Sequence, residues 1–105
     1  VVATPREVLN EVEPGVRVRF RRSEPPPPYT YAISVEVKEE GGWQTVRLWD
    51  NADDVYEHHV HSYTRQEGKQ KPMIRDFDSI NEAMAAADFE ARKKTAEIVR
   101  QWRKS

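Results

Sequence analysis

From Val16 to Asn51 the chain keeps a two-residue rhythm, and that rhythm restricts its fold more than any other feature. In "VRVRFRR" (16–22), Val16, Val18 and Phe20 alternate with Arg17, Arg19 and Arg21. In "YTYAISVEVKEE" (29–40), Tyr29, Tyr31, Ile33, Val35 and Val37 fall on one side, with Thr30, Ser34, Glu36 and Lys38 on the other. Successive residues of a strand point to opposite faces, so each segment reads as a half-buried strand. "WQTVRLWDN" (43–51) is a third, with Val46 and Leu48 on one side and Trp43, Arg47 and Trp49 on the other. "EEGGW" joins the second and third strands as a tight hairpin turn. The "SEPPPP" segment (23–28) is a stiff loop between the first two, because proline has no N–H to give to a ladder.

The rest of the chain completes a meander. A fourth strand is predicted from about Val55 to Arg65, "RQEGKQKP" (65–72) is a polar hairpin tip, and "MIRDF" (73–77) is a short fifth strand. "SINE" (79–82) is a capping box, with Ser79 as cap and Glu82 reaching back. After it, Ile80, Met84, Ala87, Ala91, Thr95, Ile98 and Trp102 recur at steps of three and four, which predicts one continuous helix over 79–104 whose stripe covers a sheet face. A dimeric coiled coil, and with it a homodimer, is the alternative use of that stripe. At the other end, "PREVLNEV" (5–12) predicts a short helix capped by Thr4 within an N-terminal arm of residues 1–15. The expected fold is therefore α+β: a single domain with an antiparallel meander sheet of four to five strands and a long C-terminal helix packed on one face.

Composition excludes several chemistries. The chain has no cysteine, so it has no disulfide, Cys-ligated zinc or Cys nucleophile. Its four glycines build no phosphate-cradling loop, and no Ser-His-Asp arrangement shows a nucleophile elbow. A formal net charge of −1 gives no bulk attraction to nucleic acid, so RNA binding would need a local basic patch. Arg17, Arg19 and Arg21 form one candidate patch, and the cations between Arg92 and Lys104 form another. No apolar run is long enough to span a membrane, and no segment looks like a signal peptide. The expected location is cytoplasmic, without membrane contact.

All three histidines lie in "DNADDVYEHHVH" (50–61). On a strand, Glu57, His59, His61, Tyr63 and Arg65 share one face, while His58 points the other way. His59 and His61 then stand side by side, their Cα atoms about 6.6 Å apart at the usual strand rise. Three uses fit such a pair. Imidazoles titrate near neutrality, so His59 and His61 can act as base and acid on RNA, with Asp50 orienting one ring and Tyr63, Arg65 and Arg47 holding phosphate. No metal or other cofactor is required for that scheme. A second use is metal ligation by His-x-His with Asp50 or Glu57 as the carboxylate. The third is a plain water-tolerant strand.

The segment "RLWDNADDVYEHHVHSY" resembles the core of the TumE-type toxins of bacterial and archaeal toxin–antitoxin pairs. The likeness rests on Trp49-Asp50-Asn51-Ala52, on His58-His59-Val60-His61 and on Ser79-Ile80-Asn81-Glu82, in that order, and covers about residues 16–90. It departs where family members often carry an extra histidine and this chain has Asp53 and Asp54, and in the long basic C-terminal helix. The resemblance implies an RNA-directed toxin held inactive by a small helix-turn-helix antitoxin protein.

Overall fold

The alternating segments become consecutive strands of one open antiparallel sheet in the computed structural model, which describes residues 5–105. The strands are β1 (Arg6–Glu13), β2 (Val16–Arg22), β3 (Tyr31–Glu39), β4 (Gly42–Asp50), β5 (His58–Thr64), β6 (Gly68–Lys69) and β7 (Met73–Arg75). Two helices follow, α1 (Ile80–Lys93) and α2 (Thr95–Lys104). Strands β1 to β6 lie in meander order, and β7 also pairs with β5. The α+β class is as expected, but the sheet has seven strands rather than four or five.

The largest correction is at the N-terminus. Residues 6–13 form strand β1, not a helix, and Thr4 lies outside the described residues. Local cap chemistry is overridden by pairing with β2, which sets Glu7 opposite Arg21, Leu9 opposite Arg19 and Glu11 opposite Arg17. Directly opposed residues share a face, so the acids of β1 meet the arginines of β2. The Arg19 Nε donates to Glu7 Oε1 at 2.6 Å. Gly15, at φ 77°, makes the turn between these strands in a region L side chains rarely adopt.

Beyond β5 the chain returns as a broken strand. Tyr63 and Thr64 pair with β6, and His58 to Val60 pair with β7. Pro72, which cannot donate to the ladder, sits in the gap. The fourth strand thus starts three residues later than expected, and the fifth ends at Arg75.

One face of the sheet carries the core. Val16, Val18, Tyr31, Ile33, Val35, Val37, Val46, Trp49 and Val60 pack beneath Ala83, Met84, Ala87, Ala91, Ile98, Val99 and Trp102. The helix stripe therefore covers its own sheet. A register shift against β3 leaves Val46 as the extra residue of a bulge. That bulge places Val46 and Trp49 together in the core, so Val46 does not share a face with Leu48 as the simple alternation predicted.

The expected single helix is two. Ser79 Oγ accepts the Glu82 N–H at 3.1 Å and caps α1. At Lys94 the backbone leaves helical geometry, with φ −103° and ψ 11°. The Thr95 hydroxyl donates to the Ala91 carbonyl at 2.6 Å, and such back-bonding bends helices. The stripe survives the bend because Ala91, Thr95, Ile98 and Trp102 all remain buried. No helix among the described residues is long and apolar enough to cross a membrane.

Candidate functional site

Register, rather than loop conformation, builds the site. Asp50 at the end of β4 pairs with His59 of β5, and Leu48 pairs with His61. Across β3 the same rows continue through Ala32 to Arg21 and through Ser34 to Arg19. These side chains occupy the face away from the helices. There Arg17 Nε donates to Glu36 Oε1 at 2.7 Å, Ser34 Oγ donates to Glu36 Oε2 at 2.9 Å, and Arg21 donates to Ser34 Oγ at 3.2 Å. The arginines of β2 are thus partnered within the sheet, and Arg17 also lies over the Trp43 ring, 4.0 Å from its centroid.

His59 and His61 stand on this face with ring centroids 5.9 Å apart, close to perpendicular. They are 6% and 8% exposed. Asp50 Oδ1 lies 3.9 Å from His59 Nδ1 and 3.7 Å from His61 Nε2. Both separations exceed hydrogen-bond length, and Asp50 Oδ1 is buried without a hydrogen-bond partner. On its other side His59 Nε2 is 2.7 Å from Glu57 Oε1. A carboxylate can only accept, so this contact puts a ring proton of His59 on Nε2, with Nδ1 on the side toward Asp50. One ligand atom from each of Asp50, His59 and His61 lies within 4.8 Å of the other two.

His58 faces the helices, as the alternation requires. Its Nδ1 is 2.9 Å from the Tyr31 hydroxyl, and its ring stacks on Tyr31 and meets the edge of Phe77. Burial lowers the His58 pKa, with His59 adding to the effect. Burial and the Asp50 charge push the Tyr31 hydroxyl up to about 12, so it keeps its proton and donates to the bare His58 Nδ1.

The remaining candidates divide. Tyr63 falls on the same side of β5 as His59 and His61 by strand alternation, and its hydroxyl pKa is raised by burial first and by Asp50 second. Arg47 and Arg65 do not belong there. Arg47 points to the helices, donates to Gln101 at 3.5 Å and has its pKa lowered by burial. Arg65 follows the end of β5, stacks on Trp102 at 4.7 Å and pairs with Glu39 at 3.2 Å. Strand alternation stops at Thr64, so the assumed face is lost one residue before Arg65.

Asn51 is fully buried and ties the start of β3 to the segment after β4: Oδ1 accepts from Tyr31 N at 2.7 Å, while Nδ2 donates to the carbonyls of Tyr29 at 3.0 Å and Val55 at 2.9 Å. Arg21 and Ser34 are neighbours that sequence reading did not single out for the site; only their place on the polar side of alternating strands signalled them. No protein-family model, no curated protein and no solved structure matches the chain.

Proposed function

We propose that this chain is an RNA-directed toxin of the TumE kind, restrained by a small antitoxin protein, with Asp50, His59 and His61 as its working site. One observation carries the reading. The short runs behind the resemblance, 49–52 and 58–61, are brought into one structural unit: Asn51 anchors the start of β3, and Asp50 lies between two imidazoles on a single face. Groups of this type serve phosphodiester cleavage, in which a proton must leave the attacking hydroxyl and another must reach the departing oxygen. Tyr63 and Arg21 beside the site are suited to contact with phosphate.

The test is induced expression in a bacterial host, with growth and total RNA followed together. The wild type should arrest growth and degrade RNA, and the His59→Ala/His61→Ala double variant, checked for equal soluble yield, should do neither. Equal toxicity of the folded double variant would remove the reading.

A second reading, a non-enzymatic interaction module, is favoured by the open edge at β1, where Leu9 and Val12 are 53% and 43% exposed. A free edge strand is a template for pairing with another chain. Solution mass measurement showing a dimer, with no effect on RNA, would select it.

A further inference from the structure

We propose that Asp50, His59 and His61 bind a first-row divalent transition metal, with Zn2+ as its reference occupant. The inference takes the same face as the working site and rests on the functional reading only for what the metal would do there. The atoms turned toward the centre are the Asp50 carboxylate oxygen, His59 Nδ1 and His61 Nε2. Asp50 Oδ1 is buried with no hydrogen-bond partner, and a cation held between it and the two ring nitrogens would satisfy it. Bonds of roughly 2.0–2.2 Å to a tetrahedral Zn2+ would set ligand atoms about 3.3–3.6 Å apart. The observed 3.7 and 3.9 Å to Asp50 reach that with a shift of a few tenths of an ångström, while the two ring nitrogens, within 4.8 Å of each other, must close by up to about 1.5 Å through side-chain rotation.

Two further features belong to metal sites. Glu57 takes the N–H of His59 on the side away from the centre, the arrangement that fixes the tautomer of a ligating histidine and strengthens it as a donor. The ligands also sit on paired strands in fixed register, so little ordering is needed on binding. Two imidazoles and one carboxylate suit zinc or iron-group ions and are a poor set for Mg2+ or Ca2+. Three protein ligands leave a coordination position for water or substrate, as in catalytic rather than structural zinc sites.

Water on such an ion ionises near neutrality, which would supply a base for the reaction read above.

Titration of the purified full chain with Zn2+, by calorimetry, and with Co2+, by visible absorption, tests the inference without RNA. The expected result is one saturable equivalent of each, no comparable binding of Mg2+, and a loss of affinity of at least about 100-fold in His61→Ala and in Asp50→Asn. Glu57→Gln, at a half-exposed position, should weaken binding by about 10- to 100-fold, the usual effect of removing such a partner. If circular dichroism shows either ligand variant to be unfolded, Glu57→Gln decides. Absence of saturable binding by the wild type, or unchanged affinity in the folded variants, overturns the site. Binding without toxicity would keep the metal site and remove the RNA reading. Toxicity without binding would do the reverse.

Discussion

Strand β5 has two faces built on opposite principles, and three neighbouring histidines show the difference. His58, toward the helices, is stacked on Tyr31 with its Nδ1 bonded to the tyrosine hydroxyl. His59 and His61, toward the other side, surround a carboxylate oxygen that has no hydrogen-bond partner. The first arrangement contributes to stability. The second leaves polar atoms buried and unmatched, which costs stability and is expected where a ligand completes the site. Identical side chains one residue apart thus meet opposite surroundings according to the face they reach.

The largest test of this contrast is on the core side. Ile33 is fully buried on β3, between Phe20 and Trp49 in the register, and its neighbour Ser34 points to the polar face. Ile33→Ala should cost about 3 kcal/mol in urea unfolding, within the usual range for deleting a buried large aliphatic side chain. A loss well below about 1 kcal/mol would mean that the helix-covered face is not the main source of stability.

Much of this architecture was legible because period-two alternation depends only on which residues want water. It gave β2, β3 and β4 and placed His58 opposite His59 and His61, and recurrence at steps of three and four marked the stripe from Met84 to Trp102. What failed depended on partners distant in sequence. Residues 6–13 carry helix-start signals, yet Arg17, Arg19 and Arg21 of β2 turn them into a strand. The bulge at Val46 is a mismatch between two strands and cannot be seen in one. At the site, the association of His59 with His61 followed from local spacing, whereas the convergence of both on Asp50 required the β4–β5 register. Arg47 and Arg65 lie away from the His pair, which the sequence did not reveal because charge was legible and facing was not.

A medium-sized effect should come from Tyr31. Its hydroxyl is held at about 12 in the folded chain, against 10.0 for an unperturbed tyrosine. The raised value means that the unfolded chain releases this proton first as pH rises. The Tyr31 contribution is therefore intact below pH 10 and declines as pH rises from 10 through 12, by about 2–3 kcal/mol at most, at roughly 1.4 kcal/mol per pH unit. Tyr31→Phe should lose about 1 kcal/mol at pH 8 with the His58 hydrogen bond, but should show a shallower decline above pH 10. Parallel curves for the two proteins would break the assignment of Tyr31 and His58 to the stabilising face.

The smallest expected effect sharpens the comparison most, because its sign is unusual for a buried residue. Asp50 has a side chain only 13% exposed and an unpartnered Oδ1, so its desolvation is poorly compensated in the metal-free chain. Asp50→Asn retains the shape and removes the charge. Without metal it should leave stability unchanged or raise it by up to about 1 kcal/mol, as commonly happens when a functional polar group is replaced. With excess Zn2+ the order should reverse, since an ion that binds only the folded wild type adds stability that grows with its free concentration. Thermal unfolding of both proteins, in chelator and in Zn2+, reads the two signs directly. A folded Asp50→Asn that is less stable than wild type by several kcal/mol in chelator would show that Asp50 holds the sheet together, and the division of β5 into a stabilising face and a working face would fail at its central residue.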